Sequence, residues 1–400
     1  MARQRNTIPN YIPRAARDYV LGAASRFPAL ALLGPRQSGK TTLARYAFPD
    51  MPYSNLEDPV VRAHANEDPV GYLDGFPRGA VLDELQNVPA LFSHLQPRLD
   101  AAEHRGVSFI LTGSHQFKLV ERITQSLAGR LALARLLPLS LAELGADGRL
   151  DGVDLDQLIW RGGYPRAWGP KARPGEVYLS YLEPYIERDV RLLVNLKDAD
   201  LFRRFLQLVA GRTGQLLNKE SLARDVGIDP KTVESWLAAL ETSFVIVRLR
   251  PHHANLGKRL IKTPKLYMVD TGLACHLLRI DEPRQLTAHP LRGALFETLI
   301  VGELLKRRFN AGKSANLFFY RDAHGTEVDL ILEYADRVYP IEIKAASTYP
   351  QIFSACLHAV SPLAPRGGAV VLGGGETGVR EGMRIVPWTD LTALAEELDL

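Results

Sequence analysis

The chain has little that would tie it together covalently or through a metal. Only two cysteines, Cys275 and Cys356, occur in 400 residues. They make neither a disulfide framework nor a zinc site, and read as buried thiols in a reducing compartment. The histidines offer no alternative: His252-His253, His324 and His358 lack metal-ligand spacing and read as surface or core residues. No apolar run approaches the roughly 20 residues that cross a bilayer, so no membrane partner is expected. The first residues carry Arg3, Arg5, Arg14 and Arg17 without an apolar h-region, so no secretory signal is read and the expected location is cytoplasmic. Neither sign of charge dominates: 49 Lys and Arg stand against 45 Asp and Glu, a net +4. That balance permits a nucleic-acid partner without arguing for one. Internal repeats and low-complexity tracts are absent too. What remains is an ordinary folded composition, 46% hydrophobic and 24% charged, in a chain too long for one core. Two to four domains are expected.

One stretch organises the rest. Ala29-Leu30-Ala31-Leu32-Leu33 is a buried-strand pattern, and a helical pattern begins at Thr42. Between them lies Gly34-Pro35-Arg36-Gln37-Ser38-Gly39-Lys40-Thr41, a Gly-x-x-x-x-Gly-Lys-Thr phosphate loop. Glycines let successive backbone N–H groups turn toward phosphate oxygens, and the helix N-terminus adds partial positive charge. Lys40 can reach the β- and γ-phosphates, and the Thr41 hydroxyl can ligate Mg²⁺. The whole run Gly34, Pro35, Arg36, Gln37, Ser38, Gly39, Lys40, Thr41 and Thr42 is therefore assigned to ATP. About forty residues on, the apolar strand Gly79-Ala80-Val81-Leu82 ends in Asp83-Glu84. Asp83 can hold Mg²⁺, and Glu84 can orient or deprotonate the attacking water. A further buried strand, Val107–Leu111, ends in Thr112-Gly113-Ser114, where Thr112 or Ser114 is placed either to sense the γ-phosphate or simply to cap the strand.

Gly34–Thr41, Val81–Glu84, Leu111–Ser114 and Ser126–Arg130 resemble the N-terminal domain of a prokaryotic AAA+-type P-loop ATPase family with a C-terminal domain of unknown function. The resemblance extends over nearly the whole chain. Arg161-Gly162-Gly163-Tyr164-Pro165, Tyr185–Val190 and Gly293–Glu297 are similar to further signatures of that family. It implies that Arg130 acts as a finger on a neighbouring subunit's nucleotide, with a structural salt bridge as the competing reading. It also implies a homo-oligomer, since ATPases of this organisation often form rings. Arg188 reads either as a lid arginine or as part of a solvated ion-pair face.

Between 218 and 240 two short helices are expected. Asn218 caps the first and Gly227 ends it; Asp229-Pro230 opens the second. Strands at 244–250 and 265–269 follow, with six Lys or Arg and no acid from Arg248 to Lys265. A winged helix-turn-helix fits. Its second helix carries Lys231 balanced by Glu234 and Glu241, poor for base readout, so phosphate contact through the wing and a protein-interaction role both stand.

In the last quarter, Glu297 lies on a helix, Asp329 on a strand, and Glu342-Ile343-Lys344 on the next, with Glu342 and Lys344 on one face. This order resembles the PD-(D/E)xK nuclease superfamily, which implies that Glu297, Asp329 and Glu342 bind Mg²⁺ and Lys344 steadies the reacting phosphate. Members that keep the fold without the activity leave a catalytically inactive domain as the alternative.

The fold expected is α/β: a P-loop AAA+-like ATPase core over 1–145, a helical lid over 146–205, a winged-helix-like module over 206–280 and a PD-(D/E)xK nuclease-like domain over 281–400. The expected function is ATP hydrolysis controlling a C-terminal nucleic-acid-binding or nuclease-like module. The alternative is an ATP-dependent switch that binds a protein partner.

Overall fold

The computed structural model describes residues 10–101, 107–113, 127, 129–186, 198–252, 262–322, 325–335, 337–348, 364 and 367–400. Ser114, the charged stretch 187–191, Cys356, His253, His324 and His358 lie outside the described residues. The chain divides into two compact units. The first is 1–139 with 242–244 and 309–313; the second is 140–241, 245–308 and 314–400.

The first unit runs α1 (Ala16–Ala24), β1 (Ala29–Leu33), α2 (Lys40–Ala47), β2 (Tyr53–Asn55), α3 (Pro59–Glu67), α4 (Pro69–Asp74), β3 (Ala80–Asp83), α5 (Ala90–Ala101), β4 (Phe109–Thr112) and β5 (Leu131–Arg135). The five strands form one parallel sheet in the order β2-β3-β4-β1-β5. Every residue of β1, β3 and β4 is buried, as expected for central parallel strands covered on both faces. The strand period of two sorts them cleanly. Ala29, Ala31, Leu33, Ala80, Leu82, Phe109 and Leu111 join a core with Leu91, Leu95 and Leu99 of α5. Leu30, Leu32, Val81 and Ile110 face the other way, onto Val20, Leu43 and Ala44. The single helix that the pattern from Val60 to Leu73 suggests is two, α3 and α4. The cause is local: Pro69 disfavours helical backbone at Asp68, whose carboxylate instead caps α4 at Gly71 N.

The second unit continues with α6 (Leu141–Ala146), α7 (Leu155–Arg161), α8 (Pro174–Pro184), α9 (Ala199–Ala210), β6 (Gln215–Leu216), α10 (Lys219–Val226), α11 (Pro230–Thr242), β7 (Ile246–Pro251), β8 (Lys265–Met268), α12 (Thr271–Leu277), α13 (Arg292–Asn310), β9 (Leu317–Arg321), β10 (Glu327–Glu333), β11 (Val338–Lys344), β12 (Ala369–Leu372), β13 (Gly378–Arg380), β14 (Met383–Pro387) and α14 (Leu391–Glu397). Nine strands form one sheet in the order β13-β14-β12-β11-β10-β9-β7-β8-β6. β6, β8 and β7 pair antiparallel beside α10 and α11, and the expected caps are in place: Asn218 accepts from Ser221 N at 2.8 Å, and Gly227 is left-handed at φ 92°. β9, β10 and β11 are antiparallel, and β11, β12 and β14 parallel. The parallel pair Arg250–Phe318 and Pro251–Phe319 joins β7 to β9, so strands from 206–280 and from 281–400 share one sheet.

Candidate functional site

The phosphate loop leaves β1 into a turn that demands glycine. A Cβ on Gly34 would collide with the Leu136 carbonyl oxygen. Gln37 (φ 58°) and Gly39 (φ 96°) are left-handed, which curls the loop back over the start of α2. Lys40, buried at the first position of α2, donates from Nζ to the Gly34 and Pro35 carbonyls, both at 2.8 Å. Its ammonium therefore lies across the mouth of the loop. The buried atoms Ser38 Oγ and Gln37 Oε1 have no hydrogen-bond partner among the described residues. A buried polar atom left unpaired costs about 1–3 kcal/mol, so the loop is built for a polar ligand. Arg36 and Thr42 are half-buried beside it.

Asp83 ends the fully buried β3 and meets the loop from the neighbouring part of the sheet. Its carboxylate accepts from Thr41 Oγ1 at 2.9 and 3.1 Å, from the Tyr53 hydroxyl at 2.7 Å, and from Thr112 Oγ1. Burial and the Asp83 charge push the Tyr53 phenol well above its ordinary range, so it stays a donor. Thr41 and Asp83 thus bring a hydroxyl and a carboxylate together at the start of α2. That hard-oxygen pair, beside a loop with two unpaired buried oxygens, suits Mg²⁺. Glu84 follows in a left-handed conformation, φ 57°, half-buried, with the Gln86 side-chain amide donating to its carboxylate. Sequence reasoning missed Tyr53 and Arg14. Arg14, buried, donates to the Ser38 carbonyl at 2.6 Å and to the Leu137 carbonyl at 2.7 Å, pinning the loop to the chain leaving β5.

Of the two expected phosphate sensors, Thr112 is fully buried and engaged with Asp83. Arg130 sits at the opposite end of the sheet. It precedes β5, where Ala29 pairs with Leu131, whereas the loop begins after Leu33. Four residues of strand, about 13 Å, separate them. There Arg130 forms an ion pair with Asp100.

In the second unit, Glu297 of α13, Asp329 of β10, and Glu342 and Lys344 of β11 do come together. Lys344 Nζ lies 2.9 Å from Asp329 Oδ2 and 2.6 Å from Glu342 Oε1, and Ile343 N donates to Asp329 Oδ2 at 2.9 Å. Three residues that the sequence reading did not place here complete the cluster. Lys265 of β8 lies 2.9 Å from Glu297, 2.5 Å from Glu327 and 3.8 Å from Asp329, and the Tyr267 hydroxyl donates to Glu297. Burial, then the neighbouring Asp329 charge, pushes the Glu342 carboxyl up to about 8. The same two causes raise Glu297. Burial opposes charge on Lys265 and Lys344, but the surrounding carboxylates outweigh it and hold both ammoniums above their ordinary range. An ammonium already lies among the acids where a divalent ion would sit. Among the described residues no group of three or more acidic, cysteine or histidine side chains is arranged to hold a metal. As it stands, this cluster does not fit Mg²⁺.

The basic character expected from Arg248 to Lys265 is also altered. Lys265 is consumed by the acid cluster, and Arg248 is held by Glu241 at 2.8 Å and by Glu234 at 2.6 Å. Arg250 is exposed, and 253–261 lie outside the described residues. The glycine signature before Tyr164 is structural. Asp270 accepts from Gly163 N at 2.7 Å, from the Tyr178 hydroxyl at 2.8 Å and from Leu273 N at 2.9 Å. A side chain on Gly162, at φ 67°, would strike both Tyr178 and Asp270. Cys275 is buried, and that burial raises its thiol well above the ordinary range. No helix among the described residues is long and apolar enough to cross a membrane.

A family profile described as an AAA domain matches residues 26–145. Two described as domains of unknown function match 152–284 (DUF8612) and 292–391 (DUF4143). Together with the loop geometry and the parallel sheet, the first match defines the amino-terminal region as an AAA-type P-loop ATPase domain, which binds nucleotide. Over 331 residues the chain is 33% identical to an uncharacterized protein of Mycobacterium tuberculosis, across 82% of this chain and 72% of that protein. A Mycobacterium bovis protein matches over the same extent. The chain belongs to the family of these mycobacterial proteins. Among solved structures, it is similar to a Walker-type ATPase of Pyrococcus abyssi (15% identity, TM-score 0.40, 66% of this chain and 94% of that one). It is also similar to Aeropyrum pernix ORC2 in its ADP form (15%, 0.34, 70% and 97%) and to the Thermotoga maritima RuvB Holliday junction branch migration motor (18%, 0.31, 59% and 90%).

Proposed function

We propose that the chain is a Mg²⁺-dependent ATPase whose nucleotide state controls its C-terminal half. The observation that carries the first part is the 2.9 Å contact between Thr41 Oγ1 and the Asp83 carboxylate beside the Lys40 ammonium. Lys40 turns from the loop carbonyls to the β- and γ-phosphate oxygens. Thr41 and Asp83 would hold Mg²⁺, which would supply positive charge against the phosphate oxygens, and Glu84 would orient the attacking water. Arg130 is too far from its own loop to serve it, and acts on the nucleotide of a neighbouring copy. If the Arg130→Ala rate per chain equals wild type at every protein concentration, that role is gone. The main test is phosphate release with ATP and Mg²⁺, with and without EDTA. Lys40→Ala should lose binding and turnover, whereas Glu84→Gln should keep binding and lose turnover by about 10²–10⁴-fold, the usual share of general-base catalysis. Wild-type turnover in EDTA, or an active Lys40→Ala, overturns the assignment.

For the C-terminal half, the arrangement of α10, α11 and strands β6 to β8 supports a winged helix-turn-helix. The convergence of Glu297, Asp329, Glu342 and Lys344 supports a nuclease-like domain that acts on or binds nucleic acid. A second reading has its own support. Arg248 is neutralised by Glu234 and Glu241, and the acids are neutralised by lysine. These favour a switch that binds a protein partner through a catalytically silent domain. Titration of labelled DNA at two salt concentrations separates the two: binding that weakens steeply with salt supports the first, and none at low salt supports the second.

A further inference from the structure

We infer that Lys265 is the resident cation of the C-terminal acid cluster: its ammonium fills the position of a divalent ion, and the cluster binds metal only when that lysine is removed. The inference rests on the second reading above and assigns the silence to one atom. Lys265 Nζ contacts three carboxylates that two separate elements deliver: Glu297 from α13 at 2.9 Å, and Glu327 and Asp329 from β10 at 2.5 and 3.8 Å. An ion bridging donors from distant segments is what a metal does in such a site. The side chain is 3% exposed, so water does not share the task. Lys344 supplies the other ammonium, to Asp329 and Glu342.

The balance of charge explains why the lysine is needed. Four carboxyl groups meet two ammoniums and, on Glu327, the Arg321 guanidinium at 2.8 Å. Glu342, 4% exposed, still has an oxygen, Oε2, without a hydrogen-bond partner among the described residues. Burial of like charges is paid down by neutralisation or by a counter-ion. Removing Lys265 leaves Glu297, Glu327, Asp329 and Glu342 with Lys344 and Arg321 as the cations paired to them. A divalent cation then becomes the available compensation, once the carboxylates draw in on the vacated position. Lys265 also comes from β8, so one side chain ties the β6–β8 end of the sheet to the acids of α13 and β10.

The experiment is Mn²⁺ binding to the nucleotide-free full chain, read by electron paramagnetic resonance, with every protein in an Asp83→Asn background to remove the phosphate loop's cation donor. The Lys265 chain should show no Mn²⁺ site that Asp329→Asn abolishes. Lys265→Ala should gain such a site, at least about tenfold tighter than any in its parent, as expected when donor charge is uncovered. Lys265→Arg should stay folded and without the site. An Asp329-dependent Mn²⁺ site in the Lys265 chain overturns the inference, as does a folded Lys265→Ala that gains none. If Lys265→Ala does not fold alone, its refolding with Mn²⁺ supports the inference and failure to refold with it counts against. Failure of the second reading is told apart by incubating DNA with the Lys265 chain and Mg²⁺. Asp329-dependent cleavage there overturns that reading, whereas a metal-loaded Lys265→Ala that leaves DNA whole upholds the inference and denies only the chemistry.

Discussion

Lys40 and Arg14 show what one residue can and cannot reveal of itself. Lys40 is read from its neighbours, because the loop needs Gly34, Gly39 and Thr41 at fixed spacing and the chemistry is local in sequence. Arg14 has no such frame. It lies 24 residues before Ser38 and 123 before Leu137, whose carbonyls it joins. Nothing in a charged helix-like stretch distinguishes a buried clamp from a surface arginine. Tyr53 was hidden for the same reason, as was the bond from Thr112 to Asp83: both depend on β2 and β4 lying on either side of β3. Arg14 makes two charge-assisted bonds to carbonyls that shape the loop, and these are the stronger kind. Arg14→Ala should weaken binding of a fluorescent ATP analogue about tenfold, equivalent to about 1.4 kcal/mol, with the fold retained by circular dichroism. An unchanged affinity would show that the loop holds its shape without the clamp.

Among elements, helices and central strands were legible where a local cause acts. Asn218, Gly227 and Asp229 mark the ends of α10 and α11 through caps that operate within three residues. β1 and β3 declare themselves by unbroken apolar composition. Pairing between elements was legible only where strands follow one another, as β10 and β11 do. The link from β7 to β9 joins Arg250 to Phe318, and no pattern in either strand announces it. The Arg161–Pro165 stretch, noticed first as a family signature, is a joint between elements: Asp270, at the mouth of α12, ties Gly163 N and the Tyr178 hydroxyl of α8 to its own helix. Asp270→Ala strands the Gly163 and Leu273 N–H groups in a buried place and leaves the Tyr178 hydroxyl with the Arg161 carbonyl. It should destabilise the second unit by about 2–4 kcal/mol, the range for a broken buried network. Urea unfolding followed through tryptophan fluorescence measures this, and Tyr178→Phe, which removes one of Asp270's three bonds and the bond to the Arg161 carbonyl, should cost about 1–2 kcal/mol. Equal losses in the two variants would mean that Asp270 acts only through Tyr178.

At the scale of the whole molecule, a phosphate loop matters to the C-terminal half only if nucleotide binds two states of the chain unequally. Thermodynamic linkage makes that requirement measurable without knowing which state is which. If ATP changes affinity for a C-terminal ligand by some factor, that ligand must change affinity for ATP by the same factor. Couplings of about 5–150-fold are typical. Double-stranded DNA is the first probe, with a non-hydrolysable ATP analogue in a Glu84→Gln chain so that turnover does not disturb the equilibrium. The DNA dissociation constant is measured with and without saturating analogue, and the analogue's with and without saturating DNA. Control predicts two equal ratios, both different from one, and both returning to one in Lys40→Ala. Ratios of one in the Glu84→Gln chain, with DNA demonstrably bound, would mean that the ATPase domain and its C-terminal half are tethered and nothing more.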